Sequence, residues 1–150
     1  QVQDVPAKEL YILVADDDDK FLDFFEAIAA DYGFLCRRAN NAEEFVAEID
    51  RITKSTRKDF PSMMFVDMQM EEPDAGLVAL RRVRAGARSS IRTVPAVMVS
   101  RSLKDSDVCA SYKSGANLFL RKNLDTTKTE NAIKKVFNLW AHESFPFCKG

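Results

Sequence analysis

Residues 60–67 read FPSMMFVD, a short apolar run that ends in a carboxylate. Met63 to Val66 contains no polar residue and follows the turn-forming pair Pro61-Ser62, a pattern typical of a strand buried on both faces. Asp67 then lies at the carboxyl end of that strand, where ligands bind to open α/β sheets. An aspartate there can also simply begin the next loop. Its function therefore depends on what the other strands place beside it.

Four more apolar segments predict strands, and helical patterns alternate with them. The strands are expected at residues 11–15, 34–38, 94–99 and 117–121. Strands that alternate with helices of ten to sixteen residues are typical of βαβ units. We therefore predict the α/β class, with a doubly wound, five-stranded parallel sheet of order 2-1-3-4-5.

The helices carry recognisable end signals. Asp18 or Asp19 is the expected N-cap of the first helix, and Asn41 with Glu44 forms a capping-box-like start for the second. Later helices are expected from Gly76, over 104–114 and over 127–142, while residues 84–92 are expected to form a connection. The arginines of the third helix and this connection should point largely to solvent; they are Arg81, Arg82, Arg84 and Arg88.

Polar side chains follow four of the predicted strands. In chain order they are Asp16 and Asp17, Asp67, Ser100 and Lys122. The first and third strands flank the point where ligands bind in this sheet order, so their carboxylates should face each other. Three carboxylates in one crevice raise one another's pKa unless cations compensate. Mg²⁺, which prefers oxygen ligands, and the ammonium of Lys122 would supply that compensation, giving a phosphoryl-acceptor site.

Composition narrows the classes of function. A chain of 150 residues suits one domain, 1–150, and its net charge of −1 gives no basic field for nucleic acid or anionic lipid. Three cysteines without a C-x-x-C pair favour reduced thiols in the cytoplasm over a disulfide framework or zinc site. No apolar run reaches the roughly eighteen residues of a membrane span, and the first ten residues do not read as a signal peptide.

Together these segments resemble the receiver domain of two-component response regulators. The likeness covers residues 10–142, leaving a tail at 143–150, and rests on ILVADD at 12–17, FVD at 65–67, VMVS at 97–100 and GANLFLRK at 115–122. It implies the flavodoxin-like receiver fold. It also implies a signalling domain rather than an enzyme, with at most self-phosphorylation and self-dephosphorylation.

The resemblance assigns roles to the strand-end residues. It implies that Asp67 accepts a phosphoryl group from the phosphohistidine of a sensor histidine kinase or phosphotransfer protein. Asp16, Asp17 and Asp67, with the backbone carbonyl of Gln69, would hold Mg²⁺.

Three further residues are implied to respond to the phosphoryl group. Lys122 would pair with it, Ser100 would swing toward it, and Phe119 would change rotamer with Ser100, which would alter binding of a downstream protein partner.

The sequence departs from the receiver pattern at two places. Receivers usually have Met-Pro soon after the acceptor Asp, but here Met70 is followed by Glu71, and Gly76 comes one position late. Asn123 replaces the proline that commonly follows the lysine, often with a cis bond; a cis bond before a non-proline residue would cost about 3 kcal/mol. Three features are similar to the small stand-alone receivers of bacterial phytochrome-type kinases: the missing proline, the helix with Asp107-Val108-x-x-Ser111-Tyr112, and Trp140 near the end of the last helix.

Two alternative functions stay open. The reworked loop and the missing proline are also compatible with a degenerate receiver that binds partners without phosphorylation. A Mg²⁺-dependent phosphatase with an aspartate nucleophile on the first strand is the remote alternative, because the acidic run at 16–19 is not followed by the Thr or Val that its Asp-x-Asp motif requires, and no cap insertion is present. We further expect no direct nucleic-acid or membrane binding, and consider a homodimer through the last helix, extended by the apolar residues Phe145 and Phe147.

Overall fold

The structure is a computed structural model that describes residues 11–55, 60–86 and 89–140. Five parallel strands form one sheet in the order β2-β1-β3-β4-β5, so the predicted class and strand order are confirmed. The strands are β1 (Tyr11–Ala15), β2 (Leu35–Ala39), β3 (Met63–Asp67), β4 (Ala96–Ser100) and β5 (Leu118–Arg121).

Helices follow every strand. They are α1 (Asp19–Asp31), α2 (Ala42–Lys54), α3 (Ala75–Arg84), α4 (Ser89–Arg92), α5 (Asp105–Lys113) and α6 (Thr126–Trp140). The prediction of an irregular connection over 84–92 was wrong at both ends of the segment. Arg84 is the last residue of α3, and Ser89–Arg92 form the short helix α4. The predicted tail at 143–150 lies outside the described residues, and so does the end of the last helix beyond residue 140.

The helix ends follow the sequence signals. Asp18 caps α1 by accepting a hydrogen bond from the Lys20 amide at 3.0 Å. Asn41 caps α2 in the same way, accepting from the Glu44 amide at 2.8 Å. These bonds satisfy amides that have no partner inside the helix. They also determine where each helix begins relative to the strand before it.

Two apolar layers cover the faces of the sheet. Side chains of successive strand residues alternate between the faces, so Ile12 and Phe65 pack against α1 and α6, while Leu13 and Val66 pack on the other face, against α2 and α3. Phe137 of α6 lies at the centre of an aromatic group on the first face. Each fully buried large side chain stabilises the fold by about 1.5–3 kcal/mol. The sheet is therefore a rigid support for the residues at its carboxyl edge.

The prediction that the arginines of α3 point largely to solvent was wrong for Arg84. Its guanidinium is half-buried and donates hydrogen bonds to the carbonyl oxygens of Gly115 at 2.8 Å and Val94 at 2.6 Å, and to Asn117 Oδ1 at 2.9 Å. Burial lowers its pKa. Helical spacing places Arg84 on the polar side of α3, but the connection between α5 and β5 folds over that position. Arg84 therefore joins α3 to the start of β4 and to the turn before β5.

No helix in the described part of the chain combines the length and hydropathy required to span a bilayer.

Candidate functional site

The carboxyl edge of the sheet holds the predicted site residues in place through main-chain hydrogen bonds. The amide of Asp16 donates to the Ala39 carbonyl at 3.0 Å, and that of Lys122 donates to the Ser100 carbonyl at 2.8 Å. Asp67, the last residue of β3, pairs with Val99 of β4 in the strand register. Because each residue is part of the sheet ladder or directly continues it, its side chain starts from a fixed position.

Three carboxylates meet at this edge. One oxygen from each of Asp16, Asp17 and Asp67 lies within 4.8 Å of the others. Asp16 and Asp67 are buried, at 1% and 7% exposure, whereas Asp17 is exposed. The predicted approach of β1 and β3 therefore brings these aspartates together, with one carboxylate open to solvent.

Lys122 reaches into the same crevice from the end of β5. Its Nζ donates to Asp16 Oδ2 at 2.6 Å and lies 3.7 Å from Asp67 Oδ2. Its side chain is only 8% exposed, so the low local dielectric strengthens both ion pairs. The ammonium therefore bridges the two buried carboxylates.

Phe21 is a site residue that the sequence interpretation missed. The Lys122 ammonium lies 4.2 Å from the centroid of the Phe21 ring, within the range of a cation–π interaction. The apolar spacing of α1 placed Phe21 in the core, and it does pack against the core on the α1 and α6 face. The only feature of the sequence that could have indicated a role at the site is that Phe21 closely follows the acidic run at 16–19. Contact with a lysine from β5 follows only from the fold.

Burial is the main cause of the pKa shifts at this edge. The pKa of Asp67 is raised to about 7, chiefly by desolvation; Lys122 and the Gln69 amide oppose this rise, and the charge of Asp16 adds to it. Desolvation also raises the pKa of Asp16, against the effect of Lys122. Mutual repulsion of the carboxylates was expected to be the cause. It contributes, but removal from water contributes more.

Gly76 lies directly against the backbone of Asp67. Its amide donates to the Met68 carbonyl at 3.0 Å, and a Cβ at this position would lie 2.0 Å from the Asp67 carbonyl oxygen. Only glycine fits such an approach. Although it comes one position later than in the usual pattern, Gly76 therefore still allows α3 to begin against the end of β3.

Side-chain carboxylates of Asp67 and Glu71 also hold the loop between β3 and α3. The Gln69 amide donates to Asp67 Oδ1 at 3.4 Å, which places the Gln69 backbone beside the carboxylates; a metal contact from its carbonyl stays a prediction. Both oxygens of Glu71 accept from the Ala42 amide, at 3.2 and 3.3 Å. Glu71, which replaces the usual proline, thus connects the loop to the first turn of α2.

Ser100 and Phe119 each have a partner in this conformation. Ser100 is buried, and its Oγ accepts a hydrogen bond from the Ser102 amide at 3.0 Å. Phe119 is partly buried, and its amide donates to the Tyr112 hydroxyl at 3.2 Å. Ser102 and Tyr112 were not predicted to take part. Tyr112 belongs to the 107–112 segment that resembles stand-alone receivers, but nothing in the sequence indicates that its hydroxyl contacts Phe119 or that Ser102 contacts Ser100.

Asn123 continues the chain from Lys122 without a cis peptide bond, since none occurs among the described residues. Its amide donates to Thr129 Oγ1 at 2.8 Å, and Thr129 is buried. A hydrogen bond to α6 thus holds the position that a proline commonly occupies.

The sequence and the site geometry agree with a known family. A family model for the response regulator receiver domain matches residues 12–134. The chain belongs to this family. As a receiver domain, it carries the acidic cluster and the lysine at the carboxyl edge of its sheet.

Several proteins are similar to this receiver domain. An uncharacterized 14.6 kDa protein of Leptolyngbya boryana, from the sodA1 3′ region, is 29% identical over 117 residues, which are 78% of this chain and 82% of that protein. The phosphorylated cyanobacterial phytochrome response regulator RcpA shares the fold with a TM-score of 0.76 at 15% identity, over 93% of this chain and 98% of that one. The Mn²⁺-bound form of response regulator Rcp1 also has a TM-score of 0.76, at 17% identity, over 93% and 99% of the chains.

Proposed function

We propose that this receiver domain accepts a phosphoryl group on Asp67 from a phosphohistidine of a sensor histidine kinase or phosphotransfer protein. One observation carries the proposal: the buried Asp67 carboxylate lies among two other carboxylates, within 4.8 Å, and 3.7 Å from the Lys122 ammonium. A nucleophile, an acidic cluster and a fixed cation are what phosphoryl transfer to a carboxylate requires.

The chemistry follows from these positions. An oxygen of Asp67 forms the new bond to phosphorus, the phosphorus–nitrogen bond to the donor imidazole breaks, and the imidazole leaves and regains a proton from solvent. The negative charge on the phosphoryl oxygens grows beside Lys122, whose ammonium is already 3.7 Å from Asp67 Oδ2. Electrostatic stabilisation from a fixed group is efficient because it needs no reorganisation.

The donor set fits Mg²⁺ in its chemistry. Asp16, Asp17 and Asp67 offer hard oxygen ligands, and the exposure of Asp17 leaves room for the waters that Mg²⁺ retains. The Gln69 carbonyl is proposed as a further ligand. When bound, Mg²⁺ supplies positive charge that compensates the carboxylates and the phosphoryl oxygens. RcpA has been seen phosphorylated and Rcp1 with Mn²⁺, which supports both parts of the proposal for a chain of the same fold.

The proposed switch uses residues that are already held elsewhere. To contact a phosphoryl group, the hydroxyl of Ser100 would exchange its bond from the Ser102 amide for one to a phosphoryl oxygen. Phe119 would change rotamer with it and alter the surface of β5 and α5 that a downstream partner contacts. We also propose that the protein is cytoplasmic and that it forms a homodimer through α6. Neither proposal depends on the chemistry of phosphoryl transfer.

The proposal is tested by intact mass after incubation with acetyl phosphate or phosphoramidate, with and without Mg²⁺. The native chain should gain one phosphoryl group only when Mg²⁺ is present, Asp67→Asn should gain none, and Asp17→Ala should gain it more slowly. Asp74→Asn, an exposed aspartate in the loop after β3, is the matched control and should behave as the native chain does.

Two results would change the conclusion. Labelling that persists in Asp67→Asn would show that another residue is the acceptor. No labelling of a folded native chain with either donor would favour the degenerate receiver that acts by binding alone, whereas catalytic turnover of a phosphate ester would support the phosphatase alternative.

A further inference from the structure

A groove runs between α2 and α3, on the face of the sheet opposite α1 and α6. The part of the groove next to the loop after β3 has a volume of about 480 Å³. A second hollow of about 330 Å³ continues it toward the end of α3, and the two share Val46 and Arg82. We call these two adjoining hollows the α2–α3 groove.

The floor of the α2–α3 groove is apolar. Ala42 and Val46 of α2 line one side, and Ala75, Val78 and Ala79 of α3 line the other. Val78 is 59% exposed, so its side chain is accessible to another molecule. Contiguous apolar surface with a polar border is characteristic of protein interaction sites.

The border of the groove is acidic at the end next to the loop after β3. Four carboxylates line this part, those of Glu43, Glu71, Glu72 and Asp74, against the single cation Arg82. Arg82 is paired with Asp50 at 3.2 Å. Within the described part of the chain, no hydrogen bond or ion pair engages the side chains of Glu43, Glu72 or Asp74. Among the described residues, the groove therefore presents three negative charges without a paired cation, beside an apolar floor.

We propose that the α2–α3 groove binds a helix of a partner protein that is apolar along one face and carries Lys or Arg at one end. A groove between two helices accepts the i, i+3, i+4, i+7 side chains of an amphipathic helix. Val46 and Val78 would contact those apolar side chains. Glu43, Glu72 and Asp74 would pair with the basic end, which determines the direction of the bound helix.

The α2–α3 groove is distinct from the phosphoryl-acceptor site but adjoins it. Glu71 connects the loop after Asp67 to the first turn of α2, and Gly76 places α3 against the Asp67 backbone. Binding in the groove does not require phosphorylation, so it can be measured on the unphosphorylated chain. A failure of this proposal would therefore leave the proposed acceptor role intact, and the reverse also holds.

The test uses synthetic peptides of about eighteen residues, long enough to populate a helix. One peptide carries Leu at three- and four-residue spacing and Lys at one end; the second has Glu in place of each Lys. Binding is measured by fluorescence anisotropy and mapped by amide chemical shifts of the full chain without a phosphodonor. The basic peptide should bind, with shifts centred on residues of the groove, and its affinity should fall as salt increases.

Two variants test the contacts. Val78→Asp should weaken binding by about tenfold or more, because it places a charge in the apolar floor. Leu139→Asp on α6 is the matched control, since Leu139 is a similarly exposed apolar helix residue at 44%, and it should leave binding unchanged. The double change Glu72→Lys with Asp74→Lys should reverse the preference toward the acidic peptide.

Several results would overturn the proposal. These are equal affinity for the two peptides, no saturable binding of the basic peptide at about millimolar concentration, shifts that map to α1 and α6, or equal losses in Val78→Asp and Leu139→Asp. Sedimentation that shows a dimer lost in Val78→Asp would assign the groove to a second copy of this chain instead.

Discussion

Lys122 donates a hydrogen bond to Asp16, with 2.6 Å between Nζ and Oδ2, and so joins the end of β5 to the end of β1 inside the candidate site. Both side chains are almost fully buried, at 8% and 1% exposure. A buried ion pair is costly to break from one side only, because the remaining charge is left without compensation. The pair therefore serves the stability of the metal-free chain as well as the proposed chemistry.

Lys122→Met should destabilise the metal-free chain at pH 7.5 by about 3 kcal/mol, since Asp16 and Asp67 lose the ammonium that bridges them. Urea unfolding measures this loss. Addition of Mg²⁺ should recover part of it, because the cation compensates the same carboxylates. Lys128→Met, an exposed lysine of α6, is the control and should change little. Equal stability of Lys122→Met and the native chain without Mg²⁺ would contradict the role assigned to the pair.

Replacement of Lys122 should also separate phosphorylation from the switch. Lys122→Ala should still take up a phosphoryl group, more slowly, because Asp67 and the acidic cluster remain. The amide resonances of Ser100 and Phe119 should then shift less on phosphorylation than they do in the native chain. If both residues respond as in the native chain, Lys122 does not couple the phosphoryl group to the switch.

Asp67 should make the metal-free chain less stable as pH rises. Its pKa is raised from 3.8 to about 7 in the folded chain, so between these values the folded state binds more protons than the unfolded state. Stability from this group is therefore complete below pH 4 and is lost as pH rises toward 7, by more than about 1 kcal/mol. Asp67→Asn should lack this loss and unfold at higher urea concentration than the native chain at pH 7.5.

The control for this measurement is Asp74→Asn, whose side chain is exposed. It should keep the pH dependence of the native chain. An Asp67→Asn variant with the same slope of unfolding free energy against pH as the native chain would show that Asp67 titrates normally.

Gly76→Ala should disrupt the site through the backbone. The new Cβ would lie 2.0 Å from the Asp67 carbonyl oxygen, and a main-chain atom cannot move aside without displacing β3 or α3. We expect a loss of about 3 kcal/mol in the free energy of unfolding, with slower phosphorylation. Gly86→Ala is the comparison, because its nearest atom would lie 3.1 Å away, at the Val83 carbonyl. Its cost should be clearly smaller.

Arg84→Met should destabilise the fold by about 2–3 kcal/mol, because it leaves the Val94 and Gly115 carbonyls without their donor. Thermal unfolding measures the effect. Arg84→Lys should recover only a fraction, since one ammonium cannot reproduce the geometry of the guanidinium. Arg82→Met, which breaks an exposed pair with Asp50, should cost below about 1 kcal/mol. If Arg84→Met and Arg82→Met lower the stability equally, the hydrogen bonds of Arg84 do not stabilise the fold more than an exposed ion pair does.

Local patterns predicted most of the architecture for identifiable reasons. Apolar runs such as 63–66 are short and bounded by turn residues, and Asn41 with Glu44 forms a cap that depends on neighbouring residues alone. The strand order required the alternation of strands and helices, together with the likeness to receiver domains. The short helix α4 was missed because Ser89–Arg92 has too few residues to show a periodic pattern.

The candidate site was predictable only in part. Asp16, Asp17, Asp67 and Lys122 each follow a strand, so a parallel sheet brings them to one edge whatever the details of packing. Phe21, Ser102 and Tyr112 were not predictable in this way, since each contacts a functional residue through packing or loop geometry. The contacts of Arg84 were likewise hidden, because they come from segments distant in sequence.

The sequence by itself determined the βαβ pattern, the helix caps and the acids and lysine at the strand ends, because these depend on local spacing and on the direction of parallel strands. Only the tertiary structure decided which carboxylate Lys122 bonds most closely, how strongly burial raises the pKa of Asp67, and that Gly76 contacts the Asp67 backbone. Those properties arise from the distance to other segments and the exclusion of water. Neither quantity is encoded in any single stretch of the chain.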